Sequence, residues 1–109
     1  KFGNVFLWFS PEMVGMGGSD LDDLQAEFSK IPFDRGIVGM ARSQNPNSAN
    51  SQFFIMLADG HFLNGNYTVF GKVISGMNVV DNIKKGDPNK NGMIEKAPDF
   101  MSKVIIKKF

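Results

Sequence analysis

At 109 residues the chain has room for one domain, which excludes multidomain readings and long repeat arrays. Hydrophobic residues at 42% and charged residues at 21% are those of an ordinary globular protein and exclude wholesale disorder. With 12 Lys and Arg against 11 Asp and Glu, the formal charge of +1 lacks the basic footprint of a nucleic-acid binder, and the absence of cysteine removes disulfides, thiolate nucleophiles and Cys-built zinc sites.

The chain opens on Lys1, as a processed chain or a fragment does. Its first apolar run, Val5–Phe9, is too short for the apolar region of a signal peptide or for a membrane span, so no membrane partner is expected. Residues 10–24 combine Ser10, Pro11, Gly15, Gly17 and Gly18 with four acidic residues and read as a surface loop. Gly36–Ala41 reads as a short buried strand, followed by a polar loop over Arg42–Ser51 around Pro46. The next strand, Gln52–Leu57, is apolar on both faces, as a strand with material packed on each side is. Asp59-Gly60 and Asn64-Gly65-Asn66 are turn chemistry, and β-branched and aromatic residues make Tyr67–Ile74 a third strand.

Met77–Lys85 is the predicted helix, with Met77, Val80, Ile83 and Lys84 at helical spacing, Lys84 and Lys85 in its last turn and Gly86 placed to end it. Asp87–Pro98 is turn-rich, and Met101–Lys108 reads as a final strand built on Val104, Ile105 and Ile106. Short strands with one helix predict a β-rich barrel or an α+β domain.

Several motifs invite a chemical reading. Gly15-Met16-Gly17-Gly18 has the glycines of a phosphate cradle, but no strand leads into it and no Gly-Lys-Ser/Thr follows, so a plain turn is expected. Asp87–Gly92 matches the first half of a calcium loop, yet its twelfth position is Pro98, where a bidentate Glu is needed. His61 is the single imidazole, which excludes a multi-histidine metal site and any ordered Ser-His-Asp set; it is expected on the surface or in a turn, with no metal and no cofactor.

Period-2 geometry on Gln52–Leu57 puts Gln52, Phe54 and Met56 on one face and Phe53, Ile55 and Leu57 on the other. An amide two residues from an aromatic makes a pocket that can hydrogen-bond a backbone carbonyl while packing a small apolar ring. The competing reading, favoured by these residues alone, is a strand buried on both faces with Gln52 satisfied internally.

Gly36-Ile37-Val38-Gly39-Met40-Ala41-Arg42, Asn47-Ser48-Ala49-Asn50-Ser51-Gln52-Phe53-Phe54-Ile55, Phe62-Leu63-Asn64-Gly65 and Tyr67-Thr68-Val69-Phe70-Gly71-Lys72-Val73 together resemble the cyclophilin family of peptidyl-prolyl cis-trans isomerases, particularly its bacterial members. Gly76–Asp81 is similar to the start of the family's second helix and Lys103–Lys108 to its last strand. The resemblance runs over 15–109 as the C-terminal portion of a single cyclophilin-like domain, with 1–14 as an insertion-like loop. It implies a mainly β fold: a closed antiparallel eight-stranded barrel capped by helices, with a shallow substrate groove on its outer surface.

By that resemblance, Gln52 matches the glutamine that hydrogen-bonds substrate backbone, and Phe54 the aromatic floor of the proline pocket. Met40, Ala41, Arg42 and Ser43 match the strand end and loop that line the groove and supply main-chain contacts. Phe62 stands where many members carry Trp, while Leu63 and Tyr67 close the pocket, Tyr67 at a position often held by His. Without the indole N–H, weak cyclosporin binding is implied. The implied partners are proline-containing peptides or unfolded proteins, and the implied setting is the cytoplasm or periplasm of a bacterium.

The family's arginine, which donates a hydrogen bond to the prolyl nitrogen, comes from a Phe-His-Arg pattern followed by Gly-Phe-Met and Gln-Gly-Gly-Asp. No segment here matches it, and neither Arg35 nor Arg42 sits in such a motif. The expectation is therefore an incomplete barrel with open edges and a site lacking its main electrophilic donor. Two functions follow from the resemblance: a prolyl isomerase, or a non-catalytic proline-peptide binder or holdase-like fragment. A calcium-binding module ranks third.

Overall fold

In the computed structural model, which describes residues 17–86, 89 and 99–108, the chain divides into two units, 18–82 and 1–17 with 83–109. All the candidate site residues lie in the first. Its central strand is β1 (Ile37–Met40), paired antiparallel with β2 (Phe53–Ile55) on one side and β3 (Val69–Lys72) on the other, in the order β2-β1-β3. These are the three stretches in which β-branched and aromatic residues concentrate, each shorter than the sequence predicts. Gly36 turns the chain into β1 at φ 89°, a conformation costly for any residue with a Cβ. The pairing continues beyond the strand ends, with the Gly36 N–H donating to Met56 O (2.8 Å) and the Val73 N–H to Gly36 O (2.8 Å).

The register sets what each face carries. Val38 faces Ile55, Gly39 faces Phe54 and Met40 faces Phe53, so Gly39 and Phe54 share one face and Met40 and Phe53 the other. On β3 the partners of Val38 and Gly39 are Gly71 and Val69, which leaves Phe70 as the extra residue of a bulge. The buried residues of the described chain include Phe33, Ile37 and Ala49, and Phe33 packs on the Gly39–Phe54 face.

The opposite face departs from expectation. Phe53 and Phe70 meet edge to face at 6.3 Å, yet remain 37% and 56% exposed, so β2 is not covered on both sides among the described residues. Periodicity reports that both faces are apolar, but what covers them is decided by distant parts of a chain.

Two other elements differ from the sequence reading. The helix, α1 (Met77–Asp81), ends well before Lys85. The Asn82 side-chain amide donates to Asn78 O (2.8 Å) and its backbone N–H to Val79 O (3.0 Å), so the side chain takes the carbonyl on which an α-helical N–H would close. Met101–Lys108 forms no strand; Val104, Ile105 and Ile106 are exposed. A strand needs a partner's backbone groups, and this stretch has no ladder among the described residues.

The expected surface loop holds for its described part, 17–24, which lies along the polar loop before β2. The Leu24 N–H donates to Ala49 O (2.7 Å), the Ala26 N–H to Asn47 Oδ1 (2.9 Å) and the Ser19 N–H to Asn50 Oδ1 (2.6 Å). The run Val5–Phe9, the first half of the glycine turn and the calcium-like stretch apart from Asn89 lie outside the described residues. No helix of the described residues is long and apolar enough to cross a membrane.

Candidate functional site

Glycine at position 39 decides how the aromatic floor sits. The Phe54 ring lies directly over it: a Cβ built on Gly39 would stand 2.6 Å from Phe54 Cζ and 2.8 Å from Phe33 Cε1. With no side chain there, Phe54 stacks on the fully buried Phe33 at 5.7 Å between centroids and 25° between planes. Phe33 is itself pinned through its backbone. Its N–H donates to Asn64 Oδ1 (2.8 Å), and its carbonyl accepts the Gly60 N–H (2.8 Å).

Tyr67 stands against the floor, edge to face with Phe54 at 5.8 Å and 87°, the offset that a ring's quadrupole favours. Arg42 lies over its ring, the guanidinium carbon 4.6 Å from the Tyr67 centroid. Gln52 enters the same face by alternation, and its carbonyl accepts the Ala41 N–H (3.0 Å), which extends the β1–β2 ladder into the polar loop. The Met40 N–H donates to Thr68 O (2.9 Å), and because Met40 pairs with Phe53, what it can offer on the Phe54 side is main chain. The Ser43 N–H and hydroxyl both donate to Ser48 Oγ, at 2.9 and 2.7 Å, which closes the loop on itself.

Thus Tyr67 touches Phe54 on one hand and Arg42 on the other, with Gln52 and Ala41 bonded to each other at the ends of the neighbouring strands. Phe62 and Leu63 are carried separately on a 3-10 turn, His61–Leu63. Phe62 lies next to Gly60, is 81% exposed, and makes no ring contact with Phe54 or Tyr67 among the described residues. Leu63 is half-buried.

His61 is exposed, as expected, and its Nε2 lies 2.7 Å from Asp34 Oδ1. That hydrogen bond, reinforced by the charges of Asp34 and Asp59, holds the imidazole pKa above its ordinary value against a smaller loss from desolvation. Asp34, Asp59 and His61 place one ligand atom each within 4.8 Å of one another, but Asp59 Oδ1 already accepts the Arg35 N–H (2.8 Å). Arg35 forms a two-pronged pair with Asp81 at 2.7 Å for each prong and also donates to Leu57 O (2.8 Å). These groups tie the stretch after Phe33 to the 57–61 loop and to α1.

The family model for cyclophilin type peptidyl-prolyl cis-trans isomerases matches residues 10–108. The chain belongs to the cyclophilin family. A probable peptidyl-prolyl cis-trans isomerase of Brucella abortus (strain 2308) is 64% identical over 106 residues, which are 97% of this chain and 54% of that protein. A peptidyl-prolyl cis-trans isomerase of Acinetobacter baylyi is 36% identical over 118 residues, 94% of this chain and 63% of that one. The chain therefore spans about half to two-thirds of the length of these curated relatives.

Among solved structures, a Cryptosporidium parvum cyclophilin type peptidyl-prolyl cis-trans isomerase, determined in the presence of the dipeptide Ala-Pro, superposes with a TM-score of 0.61. It shares 34% identity over 75% of this chain and 56% of its own. The fold is thus that of a bacterial-like cyclophilin, mainly β, with three antiparallel strands among the described residues, too few to close a barrel. The partly exposed Phe53–Phe70 face lies opposite the Phe54 face.

Phe33, Gly39 and Asn64 were not among the residues singled out from the sequence. Gly39 and Asn64 lie inside segments that resemble the family, yet nothing local marks the one as a seat for a ring or the other as a backbone acceptor.

Proposed function

We propose that this chain seats the proline of Xaa-Pro peptides on Phe54 and promotes rotation about the Xaa-Pro amide, the activity for which its family is named. The observation that carries this reading is the Phe54 floor, half-buried over Gly39 and walled by Tyr67, with Gln52 on the same strand face. Phe54 packs the proline ring, Gln52 hydrogen-bonds the backbone of the preceding residue, and the main chain of Met40–Ser43 lines the groove. Phe62 and Leu63 supply the rim from the neighbouring 3-10 turn.

Amide rotation makes and breaks no covalent bond, so this role calls on no nucleophile. The barrier of about 18–20 kcal/mol comes from C–N double-bond character. A site that grips the ring and the preceding carbonyl lowers it by binding the twisted amide more tightly than either planar isomer. Proline-containing peptides and unfolded chains are the substrates this implies.

A second reading, binding without turnover, is favoured by one observation. The chain has two arginines; Arg35 is paired with Asp81, and Arg42 donates to main-chain carbonyls. Both are engaged by the chain's own groups.

Exchange spectroscopy on an Ala-Pro peptide distinguishes the two. Faster cis/trans exchange with the chain present, lost in Phe54→Ala, supports the isomerase. Peptide shifts without faster exchange support the binder, and a peptide unaffected by the folded chain overturns both.

A further inference from the structure

We propose that Arg42 is a positioning residue that holds Tyr67 against Phe54, so that the pocket wall is set by a guanidinium that does not touch the substrate. The proposal rests on the reading of Phe54 and Tyr67 as floor and wall of the proline site.

The guanidinium is committed to the protein on nearly every donor. Nε and Nη2 donate to Asn66 O at 3.3 and 2.7 Å, while Nη1 donates to Ser43 O at 3.0 Å and to Gln44 O at 3.4 Å. Arginine carries five N–H donors, so these bonds leave one. They reach two separate stretches, the loop leaving β1 and the turn entering β3, and hold them together across the guanidinium plane. The guanidinium carbon lies over the Tyr67 ring at 4.6 Å, within cation–π range. No carboxylate among the described residues pairs with Arg42. Its charge is met by carbonyl dipoles and the ring.

The geometry requires arginine. A planar fork can bond to carbonyls along its edges while presenting a flat face to a ring; a lysine ammonium is a point charge and does one or the other. Contacts then run in series, Arg42 on Tyr67, Tyr67 on Phe54 and Phe54 on Phe33. Loosening the first lets Tyr67 swing from the floor without removing any group that a proline would touch.

The test uses Arg42→Lys, which keeps the charge and removes fork and stack. In the unbound chain, the Tyr67 ring resonances should move toward ordinary tyrosine shifts. Affinity for an Ala-Pro peptide should fall about three- to tenfold, the range for losing a cation–π contact and its coupled bonds. In a Tyr67→Leu background the same change should cost less than twofold, because the wall it supports is gone. Unchanged Tyr67 signals in folded Arg42→Lys, or losses that multiply fully in the double variant, overturn the proposal.

A measurement on the parent chain covers a variant that fails to fold. The Arg42 Nε–H signal should be displaced by the Tyr67 ring current and exchange slowly with water; a random-coil shift with fast exchange overturns the proposal. If the parent binds no Ala-Pro peptide, the site reading fails on that result, and the ring and Nε–H signals still decide whether Arg42 holds Tyr67.

Discussion

Gly39→Ala tests the packing on which the floor depends. The new methyl would sit 2.6 Å from Phe54 Cζ, 2.8 Å from Phe33 Cε1 and 3.1 Å from Phe54 Cε1. Carbon atoms settle at about 3.5–4.0 Å, so both rings must retreat by roughly 1 Å. Neither can bend, and Phe33 is held at its own N–H and carbonyl. Overpacking of this kind costs about 1–3 kcal/mol, offset by about 0.4–1 kcal/mol from the lower chain entropy of alanine in the unfolded state. Mid-range values leave a net loss of about 1.3 kcal/mol, a fall in melting temperature of about 5–10 °C for a domain of this size. Circular dichroism melts measure it, with Gly71→Ala as the control. A Cβ at Gly71 meets Val38 at ordinary distances of 3.6 and 3.8 Å and should leave the melt within about 4 °C of the parent. A Gly39→Ala variant that melts with the parent and keeps the parent's Phe54 and Phe33 ring shifts refutes the reasoning.

Asn64→Ala removes the acceptor of the Phe33 N–H and should cost about 1–3 kcal/mol in urea unfolding, the penalty for stranding a part-buried donor; a loss under about 0.5 kcal/mol counts against that bond. The His61 imidazole should titrate above its ordinary value of about 6.5, and Asp34→Asn should bring it back toward it, as read from the ring proton shifts. Since the folded-state value is the raised one, the stabilising contribution of the His61–Asp34 pair is fully present below about pH 6.5 and is lost as pH rises through the folded value. A midpoint at or below the ordinary value contradicts the pairing. Phe62→Trp restores an indole N–H at the pocket rim and should tighten cyclosporin binding in calorimetry, whereas equal or weaker binding would count against Phe62 as part of the rim.

What could be read from residues alone was what is decided locally. The three strands rest on dense β-branched and aromatic runs, and their pairing around β1 needs only the loops between them. Alternation along one strand puts Phe54 and Gln52 on one face, while the site role of that face is what the resemblance to the family implies. Phe33 carries no such signal: it sits between Pro32 and Asp34 outside any strand, packs on Gly39 and Phe54, and hydrogen-bonds through its backbone to Gly60 and Asn64. The apolar spacing continues to Ile83 and so predicts a longer helix, while the Asn82 side chain takes the Asn78 carbonyl and ends it. Val104–Ile106 is apolar enough for a strand, but apolar content supplies no ladder partner.

We propose Phe54 as the floor of a proline site that acts on the Xaa-Pro amide. Cis/trans exchange in a short Ala-Pro peptide, which takes on the order of 10–100 s without catalysis, measures it directly when recorded by NMR with the folded chain present. The account predicts faster exchange that disappears in Phe54→Ala. Exchange at the uncatalysed rate with the parent chain, or acceleration that survives Phe54→Ala, contradicts it.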